Sequence, residues 1–318
     1  MVQIQLPISK SIANRILLLQ AIHGDPLMRV SVDMPDDVLV LHDALQLIRD
    51  AFGLPQHYTY RPDLQPLTIY LKNCGTALRF LQVHIDQCYH GAPVTLTGDP
   101  RLLERNGKPT TQTTSARILH GIPVPVTPDE SPYIIMSRRM TQSYSTNAPM
   151  ANEADWSAAA FWYEYVAIHG GNLLLEQLSP DSLQGDRIVA DIYALHFGVQ
   201  TTFTPQGAVL SRLQHYNAYL NPSATPHQSV IIDFHNCPDL YPAVALTCER
   251  LGMTLHATGT GRLAYKESDR LQAVATHQTM HDHRIAMALL AADMPTDDYD
   301  CIGKSYPDFA KQIRLLCQ

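Results

Sequence analysis

One order of elements, helix, strand, helix, strand, strand, recurs in both halves of this chain and limits it to a narrow set of folds. In the first half, Ser9 to Ile22 carries Ile12, Ile16, Leu17 and Leu19 at helical spacing. A short strand over Met28 to Val32 follows, and Asp33-Met34-Pro35-Asp36 reads as a cap before a helix over 37–49. Strand-like runs come next at 57–61 and 67–72. Asn73-Cys74-Gly75-Thr76 then opens a helix carrying Leu78, Phe80, Leu81 and Val83. In the second half, Asp155-Trp156-Ser157 caps an apolar helix to Ile168, and Asn172 to Gln177 reads as a strand. Gly185 to Phe197 reads as a helix, with strands at 199–203 and 208–211. A recurring supersecondary unit points to internal repetition, although residue identity between the copies is weak. The expectation is an α/β chain of two lobes. Residues from about 105 to 152 break the pattern, being rich in Thr, Pro, Ser and Asn with little periodicity.

Length agrees with two lobes, because 318 residues exceed one compact core of ordinary size. A hydrophobic share of 45% against 17% charged residues is that of a folded globular chain. The net charge of -7 argues against a nucleic-acid surface, which needs a basic field. An anionic ligand must therefore be held by a local concentration of Lys and Arg. The cysteines at 74, 88, 237, 248, 301 and 317 show no CxxC or other ligand spacing. The first residues lack the basic and apolar regions of a signal peptide, and no stretch approaches the ~20 apolar residues of a membrane span. A cytoplasmic protein with free thiols is expected, without nucleic-acid or membrane partners.

Local charge is concentrated at two places. Lys266-Glu267-Ser268-Asp269-Arg270 and Asp282-His283-Arg284 each precede an apolar pattern at helical spacing. Helix N-termini present free N–H groups and partial positive charge, so cations there add to an anion site, and a carboxylate within it is a candidate proton carrier. The competing reading is a salt-bridged surface turn. Ser9-Lys10-Ser11 with Arg15 puts a cation and hydroxyls at a helix start, which a Ser-capped surface helix would also do. Asn73-Cys74-Gly75-Thr76 with Arg79 is a small-residue turn that lets backbone N–H groups approach an anion, or simply a structural turn. Asp239 alone reads as a helix N-cap. His277, His281 and His283 have an H-x3-H-x-H spacing, but no further ligand completes it, and no metal site is assigned.

Together these segments are more specific than any one of them. S-K-S-I-A-N-R, N-C-G-T-A-L-R, L-T-G-D-P-R-L-L-E-R, D-W-S-A-A-A, Q-G-D, P-D-L-Y-P, Y-K-E-S-D-R, H-D-H-R-I-A-M-A and K-S-Y-P-D-F follow one another along the chain. In content and order they resemble the 5-enolpyruvylshikimate-3-phosphate synthase family from end to end. The resemblance implies a two-lobed fold of repeated βαβαββ units with helix N-termini facing the interlobe cleft, here with the first lobe abbreviated. Lobe I would comprise 1–10 and 153–318, and lobe II 11–152. It implies transfer of the enolpyruvyl group of phosphoenolpyruvate to the 5-hydroxyl of shikimate 3-phosphate, without metal or organic cofactor, by a monomer. Lys10, Ser11 and Arg15 would hold shikimate 3-phosphate, with Lys10 also reaching phosphoenolpyruvate. Asn73, Gly75 and Arg105 would border phosphoenolpyruvate, and Gly75 implies sensitivity to glyphosate. Asp239 would accept the 5-hydroxyl proton with Lys266 nearby, and Glu267 would deliver a proton to the methylene carbon. Arg270 and Arg284 would clamp phosphoenolpyruvate with His283 close by, and Lys304 would complete the cationic ring. The rivals are a non-catalytic anion-binding relative and the UDP-N-acetylglucosamine enolpyruvyl transferase, which uses a loop cysteine as acid.

Two regions are shorter than the resemblance implies. After Arg105 the family continues through a helix, two strands and a Ser-Ser-Gln motif. Here Thr110-Thr111-Gln112 is either a variant of that motif, with Thr111 and Gln112 on shikimate 3-phosphate, or Ser115 to Gly121 matches the earlier helix and the motif is gone. The second short region lies between Thr276 and His281, where the family carries the rest of a helix and a strand pair. Lost strands should cost more than lost loop, because their neighbours then expose apolar faces and backbone groups.

Overall fold

A computed structural model describes residues 1–104, 110–146, 153–213 and 229–316. The chain divides into two compact units, one formed by Met1–Pro7 with Glu153–Gln318 and the other by Ile8–Asn152.

The first strand, β1 (Val2–Ile4), belongs to the discontinuous unit, after which the chain builds the whole of the other. There α1 (Lys10–His23) is capped by Ser9, whose side chain accepts from the Ile12 N–H, and it stops at Gly24 in the left-handed conformation. Next come α2 (Asp36–Phe52), β2 (Leu67–Tyr70), α3 (Gly75–Cys88), β3 (Val94–Thr97), α4 (Pro100–Glu104), α5 (Thr111–Leu119) and α6 (Pro132–Ser145). Strands β2 and β3 form a parallel pair, with Leu67 opposite Val94.

Three sequence expectations are corrected here. Residues 28–32 form no strand, and Val32 is 95% exposed. The expected strand at 57–61 is replaced by a 3-10 turn over Pro55–His57, where proline sits at the start of the turn. Tyr58 beyond it packs with Phe52 and Tyr89 as a ring cluster. The region read as lacking periodicity holds α5 and α6. Their buried faces combine Ser115 and Ser137 with Ala116, Ile118, Leu119, Met136 and Met140, so polar residues interrupt the apolar period.

In the discontinuous unit the chain continues through α7 (Trp156–His169), β4 (Asn172–Glu176), α8 (Val189–His196), β5 (Val199–Thr204) and β6 (Gly207–Arg212). The sheet order is β1-β4-β6-β5, with β1 parallel to β4 and the remaining pairs antiparallel. Helix α7 is buried nearly all round, through Trp156, Ala159, Phe161, Trp162 and Val166, which explains its lack of a polar face. A second parallel pair joins β7 (Ser229–Asp233) to β8 (Thr254–Thr258), with α9 (Tyr241–Arg250) between them. The chain closes with α10 (Arg270–Thr276), α11 (His283–Ala291) and α12 (Phe309–Leu316). Gly259, at φ 65°, turns the chain out of β8 towards Lys266. A Cβ there would meet Asp233 Oδ1 at 2.0 Å, so only glycine fits. Among the described residues no helix is long and apolar enough to cross a membrane.

Candidate active site

Two short helices deliver Arg270, His283 and Arg284 in the discontinuous unit. Asp269 starts α10 by accepting from the N–H groups of Leu271 (3.1 Å) and Gln272 (3.3 Å). Asp282 starts α11 by accepting from the Arg284 N–H at 3.0 Å. Both helices thus begin where the charge clusters predict.

Arg270 ties the two starts together. Its buried guanidinium donates from Nε to Asp282 Oδ2 at 2.9 Å and from Nη1 to Asp239 Oδ1 at 2.5 Å. Asp239 also faces Lys266 Nζ at 3.1 Å and Arg284 Nη2 at 3.4 Å. It lies in a 3-10 turn over Pro238–Leu240 and caps no helix, correcting its reading as an N-cap. Burial opposes ionisation of Asp239, but Arg284, Lys266 and Arg270 overcome it and hold the carboxyl well below the usual range. Burial likewise pulls the Lys266 ammonium down, with Asp239 opposing.

A second group adjoins the first. Glu267 Oε2 lies 2.8 Å from His283 Nδ1, and Lys304 Nζ lies 2.9 Å from Glu267 Oε1. Burial lowers the His283 imidazole despite the carboxylate beside it, and its buried Nε2 has no hydrogen-bond partner among the described residues. Ser268 Oγ donates to Asp282 at 3.2 Å. Glu267, Asp282 and His283 offer ligand atoms within 4.8 Å of one another. With Lys304 on Glu267 and Arg270 on Asp282, however, the trio is an ion-pair network that would repel a metal ion. His277, His281 and His283 each turn to a different carboxylate, of Glu249, Asp298 and Glu267 respectively.

Sequence reasoning did not assign Asp186 or Ser157, although both lie in quoted segments. Asp186 accepts a short hydrogen bond from the Ser157 hydroxyl. Burial, then the charge of Asp239, pushes the Asp186 carboxyl up to about 6, against Arg284 and Ser157.

In the other unit, Lys10 Nζ pairs with Asp37 at 3.0 Å. Arg15 is buried and donates from Nε to Ser137 Oγ (2.8 Å) and from Nη2 to Ser115 Oγ and the Tyr133 carbonyl (both 3.0 Å). Its Nη1 donates to the Ser11 carbonyl at 2.7 Å, and burial lowers the guanidinium to about 10. Gly75 is the first residue of α3, following Asn73 and Cys74, and Arg79 donates to its carbonyl at 2.9 Å. Thr111 and Gln112 open α5 behind Thr110, whose hydroxyl accepts from the Thr113 N–H. Arg105 lies outside the described residues. Asp239, Lys266, Glu267, Arg270, His283, Arg284 and Lys304 are therefore brought together in one unit. Lys10, Ser11, Arg15, Asn73, Gly75, Thr111 and Gln112 belong to the other.

Comparison with known proteins gives concordant results. Residues 108–278 match the family model of EPSP synthase (3-phosphoshikimate 1-carboxyvinyltransferase). The chain is 26% identical to a 3-phosphoshikimate 1-carboxyvinyltransferase of Bacteroides fragilis over 402 aligned positions, covering 98% of this chain and 94% of the relative. It is 25% identical to the protein of that name from Methanosphaerula palustris over 410 positions, covering 95% and 94%. To that of Clostridium beijerinckii it is 31% identical over 199 positions, covering 52% and 43%. The first two alignments run well beyond 318 positions, so those relatives carry segments with no counterpart here.

Proposed function

The chain belongs to the EPSP synthase family, and we propose that it transfers the enolpyruvyl group of phosphoenolpyruvate to the 5-hydroxyl of shikimate 3-phosphate, releasing phosphate. The observation that carries this reading is the pairing of two carboxylates in one cationic cluster. Asp239 sits among Lys266, Arg270 and Arg284, and Glu267 between His283 and Lys304.

The reaction needs an acid and a base. Protonation of C3 of phosphoenolpyruvate makes C2 electrophilic as the 5-hydroxyl attacks and loses its proton, and C3 then gives a proton back as the C2–O bond to phosphate breaks and the enol is restored. A carboxylate held as low as Asp239 is a poor base while three cations face it. Anionic ligands change that balance. A phosphate or carboxylate drawing Lys266 and Arg284 towards itself weakens their hold on Asp239 and raises its basicity. Glu267 relays the proton to C3, with Lys304 moving to the ligand and His283 orienting the carboxyl. Arg270 and Arg284 bring planar, bidentate donors suited to carboxylate and phosphate. Asn73, Gly75 and Arg105 complete the phosphoenolpyruvate contacts. Lys10, Ser11, Arg15, Thr111 and Gln112 take shikimate 3-phosphate, and no cofactor is required.

The finer architecture is read the same way. The order β1-α7-β4-α8-β5-β6 is one βαβαββ unit, while β2-α3-β3-α4 and β7-α9-β8-α10 follow only its first four elements. We take the latter two as units whose closing strand pairs have been shortened in the two short regions, after Arg105 and between Thr276 and His281. Phosphate release from both substrates together, and from neither alone, tests the function. Binding of both ligands without release would favour the non-catalytic reading.

A further inference from the structure

We propose that His84, Cys88 and His120 form a three-ligand site for a borderline divalent transition-metal ion of the Zn2+ class, separate from the charged cluster. His84 and Cys88 are four residues apart on α3, so they lie on one face of that helix. His120 follows the last residue of α5, which packs on α3. One ligand atom from each residue lies within 4.8 Å of the other two, and Cys88 Sγ is 3.8 Å from His120 Nδ1. Ligand–metal bonds of about 2.0–2.3 Å at a tetrahedral centre place neighbouring donors ~3.5 Å apart, so a small closing movement suffices.

An independent observation comes from hydrogen bonding. His84 is 1% exposed and its Nδ1 has no partner among the described residues, nor has Nε2 of His120. Two imidazoles thus sit against each other, their centroids 5.3 Å apart, with unmet polar atoms where a core would normally place apolar side chains. Coordination through Nδ1 would give the His84 ring the partner it lacks, and His120 would bind through the Nδ1 that faces Cys88. The donor set of two imidazoles and one thiolate suits Zn2+ or Co2+ and disfavours Mg2+ or Ca2+. Arg49 acts on His84 electrostatically, a weaker opposition to a cation than the direct ion pairs that hold the Glu267 group. On binding, Cys88 gives up its thiol proton to solvent and the metal–sulfur bond forms, with no change of oxidation state. The ion would staple α3 to the end of α5 and leave a fourth position for water.

The test uses the full chain stripped with chelator and titrated with Co2+ as a spectroscopic probe, then with Zn2+. Expected are a thiolate-to-cobalt charge-transfer band and visible bands of tetrahedral intensity, both displaced by Zn2+. Cys88→Ser should abolish the charge-transfer band, and His120→Asn should weaken Zn2+ binding by at least about tenfold. His120 is only partly buried, so that variant remains informative if Cys88→Ser fails to fold. Absence of the charge-transfer band in the wild-type chain, its persistence in Cys88→Ser, or unchanged Zn2+ affinity in His120→Asn would overturn the site.

Discussion

Nδ1 of His283 lies 2.8 Å from Oε2 of Glu267, and the far nitrogen of the same ring is buried without a partner among the described residues. A carboxyl so placed has one oxygen oriented by the imidazole and the other by Lys304. Glu267→Gln keeps the size of the side chain and an oxygen for His283, but cannot carry a proton. Both ligands should still bind by calorimetry, while kcat falls by about 10²–10⁴. Near-normal turnover would remove Glu267 from the acid role.

Arg270 bridges two carboxylates that would otherwise face each other in a buried setting. Replacing it by Met keeps much of its volume and leaves Asp239 and Asp282 without their shared cation. A loss of about 3–5 kcal/mol in urea unfolding is expected, as for other buried pairs broken from one side. A loss under ~1 kcal/mol would mean that Lys266, Arg284 and Ser268 suffice to hold both acids.

How much of this was legible follows from what each residue has to do. Helix starts at Ser9, Asp155, Asp269 and Asp282 were readable because an N-cap combines a local chemical signal with an apolar period behind it. The hairpin of β5 and β6 was readable for a similar reason, since two short runs flank a tight turn. Helices α5 and α6 were hidden because Ser115 and Ser137 face Arg15, so polar residues interrupt the apolar period of their buried faces. The partners within the charged cluster were also out of reach. Asp186 and Ser157 are 29 residues apart, and only the fold brings them together. The His84–Cys88–His120 group escaped for that reason too, because two of its members look like ordinary helix residues until α5 returns beside them.

The short link between α10 and α11 uses non-glycine residues in the left-handed region: His277, Met280 and His281. His277 is the C-cap of α10 at φ 54° and ψ 32°, a position that favours glycine. Its ring makes only a partly exposed pair with Glu249, worth little. His277→Gly should therefore stabilise the chain by about 1 kcal/mol, read as a higher urea midpoint at unchanged slope. A lower midpoint would show that the pair with Glu249 outweighs the backbone strain.

Glu164 gives a pH signature that can be separated from the charged cluster. It lies in α7 with both carboxyl oxygens buried and without partners among the described residues, and burial pushes its carboxyl well above the usual range. The folded chain therefore holds this proton at pH values where the unfolded chain has lost it. Stability from this group is fully present below the unfolded pKa of about 4.3 and is lost as pH rises towards the folded value. Glu164→Gln imitates the protonated carboxyl and cannot titrate. The variant and the parent should be closest in unfolding free energy at acid pH, and the variant should gain a growing advantage as pH rises above about 5. Subtracting the two curves cancels the other titrating groups. A difference independent of pH would show that Glu164 does not carry a proton in the folded chain.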